Sequence, residues 1–442
     1  MKKNDVCIIS LGCAKNTVDS DSMGQLLETD GFRMIEEPGK AGVVIVNTCG
    51  FIGDARDESY SILQDLTANK HSGQLVIAAG CLTQRYRQEV SRKIPGIDGM
   101  LGTRRWMDVV QVVRTLRNQK TREPYYHLPD VPDSGGEVDG ILRVTRQGGS
   151  AYIKIADGCR RPCAFCAIPL IKGKAVSRPL ESIIHEAGYL QTAGVKELVL
   201  IAQDSTDYGS DLGISDGLSK LLEMMTDQVP EIPWIRVMYS YPGYVTDRLI
   251  DTMASRPQIL HYLDIPLQHG HPDTLKRMNR PHNIDWVRKT ITKMRTAMPD
   301  LAIRSTFIVG YPGETELEFQ ALLDLIEELK LDHAGAFPFS FEPGTASEAF
   351  GDPIPAEVKQ ERLERLMLLQ EQISMVNNQG MVGKTLDILV EGAGDGISMG
   401  RSYRDAPEID GLVIFDGETP VGEFAKVQIK GAMAHDLTGT RV

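Results

Sequence analysis

No stretch of this 442-residue chain is long and apolar enough for a membrane span. Its longest apolar runs, such as Val43–Val46 and the Glu197-Leu-Val-Leu-Ile-Ala202 segment, are strand-sized, well short of the roughly eighteen residues a membrane helix needs. A secretory core is lacking too, because Gly12 and Lys15 interrupt the apolar run that follows Met1-Lys-Lys-Asn-Asp5. A cytoplasmic protein without a membrane partner is therefore expected. Positive charge is also short. The net charge of −12 leaves no broad surface for phosphates unless Lys and Arg cluster locally, so no DNA partner is expected and a basic protein suits the charge better. Seven cysteines, an odd number without a signal segment, argue against a disulfide framework and for thiols kept reduced for metal or redox chemistry. Internal repeats and low-complexity tracts are missing as well. What is present, 42% hydrophobic and 24% charged residues, is the composition of an ordinary globular protein.

At this length one compact core is exceeded, and two to four domains are expected. From Asp5 to about Asn118, apolar runs at Val6–Ser10, Val43–Val46 and Leu75–Ala79 alternate with helical patterns at Thr17–Thr29, Asp54–Asn69 and Thr83–Lys93. Strict alternation implies an open parallel α/β sheet. The Pro- and Gly-rich residues 121–144 read as a linker. Six further strand patterns follow, at Ala151–Ala156, Glu197–Ala202, Trp234–Met238, Tyr262–Ile265, Ala302–Val309 and Ala334–Phe339. Helical patterns such as Pro179–Gln191, Asn283–Met298 and Thr315–Leu329 separate them, and a long amphipathic helix over Pro355–Val376 closes the section. Six βα units fall short of a closed eightfold barrel, so a partial (β/α)6 barrel is expected. The tail shows Gly-punctuated alternation at Thr385–Val390, Leu412–Phe415 and Phe424–Ile429, the pattern of a small antiparallel β-barrel. The expected domains are 1–120, a linker at 121–144, 145–377 and 378–442.

Six of the seven cysteines fall into two sets. Cys159, Cys163 and Cys166 follow directly on the first barrel strand, on the strand end where β/α barrels keep their active sites. Three thiolates at spacings of four and three suit three irons of a 4Fe–4S cube, with no fourth cysteine nearby to close the last iron. Two other readings exist. Cys163 and Cys166 alone have the spacing of a thioredoxin-like pair. A zinc knuckle would need a histidine, and the nearest, His185, sits in a helical stretch. Cys13, Cys49 and Cys81 lie just past the ends of three separate strands, so they share one edge of the sheet, where such folds bind ligands. One small buried cysteine there would be unremarked; three at matching positions predict a second metal site. Cys7 lies inside its strand and reads as core.

Several segments together carry a family resemblance. Gly12-Cys13-Ala-Lys15-Asn16 with Val18-Asp-Ser20, Asn47-Thr-Cys49-Gly50, the CxxxCxxC loop and Ser305-Thr-Phe-Ile-Val-Gly310-Tyr-Pro-Gly313-Glu314-Thr315 resemble the methylthiotransferases of the radical S-adenosylmethionine superfamily. The resemblance implies a flavodoxin-like N-terminal methylthiotransferase domain, a radical barrel and a C-terminal TRAM domain. Leu263–His269, Arg304–Gly310, Gly400–Ser402 and Asp405–Gly411 resemble the RimO-type branch, which adds a methylthio group to the β-carbon of an aspartate in ribosomal protein S-twelve; the other main branch modifies an adenosine of tRNA. The tail agrees: from Asn378 to Val442, ten acidic residues face six basic ones, a balance of −4, which suits a basic protein better than RNA. Two positions depart from the family pattern: Asp21 where Glu is common after Asp19-Ser20, and Lys172-Gly173-Lys174 where Arg-Gly is usual.

By the resemblance, the enzyme uses two 4Fe–4S clusters and S-adenosylmethionine. Cys159, Cys163 and Cys166 hold the cluster whose open iron binds the methionine amine and carboxylate, and a low-potential donor such as flavodoxin or ferredoxin supplies the electron that makes a 5′-deoxyadenosyl radical. That radical takes hydrogen from an unactivated β-carbon, which no side-chain base could deprotonate. Cys13, Cys49 and Cys81 hold the cluster that delivers sulfur. Gly310, Gly313 and Glu314, past the fifth barrel strand, either line the adenosyl pocket or form a tight turn. Gln268 and His269 end the fourth strand, and Gln203 and Asp204 the second, as candidates for the same face.

Overall fold

The computed structural model describes residues 4–119 and 123–442; the Met1-Lys2-Lys3 start and the expected boundary at residues 120 and 121 lie outside them. The first unit is a parallel sheet of β1 (Asp5–Ser10), β2 (Arg33–Met34), β3 (Val43–Thr48), β4 (Leu75–Gly80), β5 (Gly99–Gly102) and β6 (Tyr125–His127), in the order β2-β1-β3-β4-β5-β6. Helices α1 (Ala14–Thr29), α2 (Gly53–Ala68), α3 (Cys81–Lys93) and α4 (Val109–Asn118) connect the strands. The all-apolar β3 shows why periodicity fails here: Val43 and Ile45 enter one core, Val44 and Val46 another on the opposite face, so both faces are covered. β6 falls inside the stretch expected as a linker. Its three residues carry no alternation, and only pairing with β5, with the Tyr125 amide on the Asp98 carbonyl at 2.9 Å, makes it a strand.

The second unit begins with β7 (Val144–Gln147), antiparallel to β8 (Ser150–Lys154), and a short ribbon of β9 (Ala156–Asp157) and β10 (Val176–Ser177). β8, β11 (Glu197–Ile201), β12 (Trp234–Val237), β13 (Tyr262–Asp264), β14 (Ala302–Val309) and β15 (His333–Pro338) are the six expected barrel strands. Their ladder comes in two pieces, β12-β11-β8-β7 and β13-β14-β15. Backbone bonds from Leu260 N to Ile235 O (2.9 Å) and Ser240 N to Asp264 O (2.8 Å) join the pieces into one curved wall. The short α5 (Ile168–Lys172) lies against α3 of the first unit, and helices α6 (Leu180–Thr192), α7 (Gly217–Gln228), α8 (Asp247–Ser255), α9 (Pro272–Arg277), α10 (Ile284–Ala297), α11 (Glu316–Leu329) and α12 (Ala356–Gln379) surround the wall.

The tail forms a closed barrel of β16 (Thr385–Gly394), β17 (Ile397–Arg401), β18 (Val413–Asp416), β19 (Phe424–Ala432) and β20 (Leu437–Arg441), in the order β16-β17-β18-β20-β19. The expected antiparallel pairing holds at four seams, but β18 and β20 run parallel. Five strands cannot alternate direction around a closed ring, so one parallel pair is required.

The three units share a core. Val18 of α1 and Leu389 and Ala406 of the tail pack with Tyr152, Val199, Ile201 and Tyr262 inside the partial barrel. Thus α1 fills the barrel's open side, and the small barrel plugs one end.

Candidate functional site

The N-terminal cysteines are brought together by strand ends and two asparagines. Cys13 caps α1 after β1, Cys49 follows β3, and Cys81 opens α3 after β4. Asn16 Nδ2 donates to Leu11 O (2.9 Å) and Thr48 O (3.1 Å), tying the first loop to the second. Asn47 Nδ2 returns the tie, donating to Asn16 O (2.8 Å) and Ser20 Oγ (2.9 Å). Two glycines with left-handed backbone permit the approach. A Cβ at Gly12 (φ +90°) would stand 2.9 Å from Cys49 Cβ, and one at Gly80 (φ +97°) 2.4 Å from Asn47 Oδ1.

The second set lies on the loop after β9. Cys159 N donates to Gly173 O (3.1 Å), Ala164 N to Met278 O (2.8 Å), and Asn279 Nδ2 to Pro162 O (2.8 Å), which pins the loop against α5 and α9. All six cysteines are free and line one cavity of about 480 Å³ between the first unit and the barrel. The sequence placed each triad on its own sheet edge; the structure makes the two edges face one another.

Burial pushes the thiols of Cys81 and Cys166 up to about 12 and that of Cys159 to about 11. At neutral pH such thiols keep their protons until a metal cation displaces them. Three cations stand close. Arg280 Nη1 is 3.5 Å from Cys163 Sγ, beside the Tyr241 hydroxyl at 3.7 Å. Arg161 pairs with Asp204 at 2.5 Å. Lys172, a wall residue opposing the rise at Cys81, pairs with Asp19 at 2.8 Å and Asp157 at 3.3 Å. Lys154 and Arg143 join the same carboxylates, so three cations and two acids are buried where α1 meets the barrel. Burial raises the Asp19 and Asp157 carboxyls, but the cations, Lys154 first, outweigh it and hold both below the usual range. At Lys154 burial prevails and the ammonium falls to about 8. A second seam joins Glu342 to Arg56 (2.5 Å) and Arg85 (2.7 Å).

The other sequence candidates separate clearly. Gln268 and Gln203 line the cavity. His269 is fully buried and turned from it, its Nε2 3.6 Å from Glu314. Gly310, Gly313 and Glu314 are not on the cavity wall. They form the turn closed by Glu314 N on Tyr311 O (2.8 Å), with the Glu314 carboxylate on Arg362 (2.9 Å) and Gly310 backed against Lys359. His185 stands exposed on α6, and Cys7 is core. His271, Asp273 and Glu318 gather within 4.8 Å, but the first caps α9 and the last holds Arg277 at 2.9 Å. Sequence reasoning passed over Lys15, Arg161, Tyr239, Tyr241 and Arg280 as wall residues. Position just past β12 was the available signal for the two tyrosines; Arg280 had none, because it arrives from beyond α9.

Residues 153–326 match the radical SAM superfamily, residues 5–102 an uncharacterized protein family, UPF0004, and residues 382–442 the TRAM domain. The chain is 46% identical to the ribosomal protein uS12 methylthiotransferase RimO of Chloroflexus aurantiacus, over 98% of each chain. It is 41% identical to the protein of that name from a Thermoanaerobacter species, over 98% of this chain and 99% of the relative. Among solved structures it is similar in fold to the radical S-adenosylmethionine methyltransferase TsrM of Kitasatospora setae (TM-score 0.60, 14% identity, 90% and 80% of the two chains). The cobalamin-dependent radical enzyme OxsB is another such structure (TM-score 0.53, 10% identity, 82% and 56%).

Proposed function

The chain belongs to the RimO family of ribosomal protein uS12 methylthiotransferases, and from that premise we propose how its own residues divide the work. It is a radical S-adenosylmethionine transferase that uses two 4Fe–4S clusters and methylthiolates ribosomal protein S-twelve. Our reading adds the assignment of residues. Cys159, Cys163 and Cys166 hold one cluster; Cys13, Cys49 and Cys81 hold the other. The donor sets fit: each offers three free thiols to one cavity, leaving one iron of a cube without a protein ligand, and Arg280, Arg161 and Lys172 stand where they offset the clusters' negative charge. When bound, these groups supply the electron that cleaves S-adenosylmethionine and the sulfur that is transferred.

The residues do the rest. Arg280 donates to the Cys163 sulfur and the Tyr241 hydroxyl stands within hydrogen-bond reach of it, together orienting it. Phe51, Phe165 and Ile168 give the cavity apolar wall, which keeps water and stray hydrogen donors from a reactive carbon. Gln268 reaches the same space, whereas the turn at Gly310, Gly313 and Glu314 acts through placement of α11 and α12. The carbon modified is the β-carbon of an aspartate, the electron comes from a flavodoxin- or ferredoxin-type donor, and a ribosomal substrate places the enzyme in the cytoplasm. We take the domains as 1–120, 145–377 and 378–442, with β6 (Tyr125–His127) of the intervening stretch completing the first sheet and Val144 opening the second unit. Of the tail's charges, seven acidic and four basic residues remain exposed, so its surface favours a basic protein over tRNA.

The observation that carries the assignment is the single cavity shared by both cysteine triads. Anaerobic reconstitution with S-twelve tests it. A methylthio mass increment on one aspartate, with about eight irons per chain, is expected. Iron near four per chain, or an increment on tRNA alone, overturns it.

A further inference from the structure

Four cations line the cavity, and three have partners. Arg161 is held by Asp204, Lys172 by Asp19 and Asp157, and Arg280 by the Pro266 carbonyl and the Cys163 sulfur. Lys15 is different. It is 8% exposed, it lines the cavity beside Cys13, and among the described residues it forms no ion pair with a carboxylate. Its Nζ lies 3.4 Å from the centroid of the Tyr239 ring. A cation–π contact of this kind contributes about 1–2 kcal/mol, far less than the several kcal/mol that burying an ammonium costs. Tyr239, Cys13 and Asp264 act on its charge, but no carboxylate among the described residues touches it, so an anion entering the cavity would be its first ion-pair partner.

Two more wall residues are held in a costly backbone. Tyr239 (φ +63°) and Gln268 (φ +73°) are non-glycine residues in the left-handed region and both line this cavity, at about 1–2 kcal/mol each. Tyr239 N on Asp264 Oδ2 (3.1 Å), and Gln268 N on Thr306 O (2.9 Å), keep them there. Strain sustained by the surrounding structure at a cavity wall marks a place where side-chain direction matters.

We infer that Lys15 binds the side-chain carboxylate of the target aspartate, holding its β-carbon between the two cysteine triads, with Tyr239 and Gln268 as the walls of the cradle. This rests on the reading of the substrate as an aspartate side chain. The chemistry is selective in both directions. A carboxylate entering an apolar cavity needs a fixed cation, and a neutral base or amide would leave the ammonium buried and unpaired. Lys15 would then act as the specificity determinant for an acidic residue and against a nucleobase.

The test uses the reconstituted holoenzyme and two peptides of ribosomal protein S-twelve, one with the target aspartate and one with asparagine in its place. Wild type binds the aspartate peptide more tightly. In Lys15→Met, affinity for that peptide falls by roughly thirtyfold or more, the low end for removing one member of a buried charge pair, while affinity for the asparagine peptide does not fall, because the variant no longer buries an unpaired ammonium. Lys15→Arg, which keeps the charge, retains the preference. Three results overturn the inference. If Lys15→Met prefers aspartate as wild type does, the ammonium does not read the carboxylate. If it weakens S-adenosylmethionine binding equally, the ammonium serves the cofactor's own carboxylate. If iron per chain falls, it serves the metal site. A wild-type enzyme that binds neither peptide and leaves S-twelve unmodified overturns the functional reading and this inference together; modification of S-twelve with an unchanged preference in Lys15→Met overturns this one alone.

Discussion

Six thiols on one cavity could be six ligands of equal standing, and the residue scale is where that equality breaks. Cys163 has Arg280 and Tyr241 beside its sulfur, on the barrel side. Cys49 sits across the cavity, its backbone amide and carbonyl both bonded to Ser59 Oγ (3.1 and 3.0 Å). Replacing Cys163 by Ala should therefore abolish reductive release of 5′-deoxyadenosine. Replacing Cys49 by Ala should leave that release and stop the methylthio increment on S-twelve. Each variant should lose about half its iron. Chromatography of the nucleoside and mass spectrometry of the substrate read the two steps separately, and two fully active variants would sink the two-cluster assignment.

At the scale of elements, the loops carrying the cysteines are only as good as the helices and turns that end them. Gly80 combines φ +97° with no room for a Cβ beside Asn47 and Thr48. Gly80→Ala should cost more than about 1–2 kcal/mol and, by shifting Cys81 at the start of α3, lower the iron bound per chain. Unchanged iron would show that the loop has slack. On the barrel side, Thr315 and Glu318 close a capping box at the start of α11 (Thr315 N on Glu318 Oε2, 2.7 Å). Thr315→Ala should cost about 1 kcal/mol, read as a lower urea midpoint at unchanged slope. The helical stretch that begins at Thr315 was legible in the sequence because its pattern is local. The β6 strand was not, because its three residues become a strand only when β5 offers an edge.

The whole molecule is held by charge pairs that join distant parts of the chain. Glu197, at the start of β11, takes Arg401 of the small barrel at 2.6 Å and Arg236 at 2.7 Å, all three fully buried. Burial alone would raise this carboxyl from its usual 4.5, but the guanidinium of Arg401, with that of Arg236, brings it down to about 2. A depressed carboxyl contributes stability that is complete above its unfolded value and is lost as pH falls through the folded one. Melting temperature should therefore drop between about pH 4.5 and pH 2. Glu197→Gln should flatten that slope and cost about 3–5 kcal/mol at neutral pH, since it leaves two buried cations short of an anion. A variant with the wild-type slope would place the acid sensitivity elsewhere. The same seam explains two segments that resembled the RimO-type branch. Arg401 and Asp405 to Asp410 face the barrel, with Tyr262 on Asp410 at 2.6 Å and Arg404 on Asp332 at 2.8 Å.

The chain by itself determined the order of its units, the six barrel strands, both cysteine triads and the chemistry of sulfur and iron they imply. The units, strands and triads follow from periodicity and spacing, which are properties of neighbours along the chain, whereas the sulfur chemistry is what the family resemblance implies. Tertiary structure alone decided that the triads face one cavity, that Gln268 and Gln203 line it while His269 and Glu314 do not, and that Lys15 stands there with no ion-pair partner among the described residues. Those facts depend on which way a side chain turns at a strand end and on what α1 meets when it enters the barrel's open side. Such meetings join residues more than a hundred positions apart, as Asp19 and Lys172 do, and no local pattern encodes them.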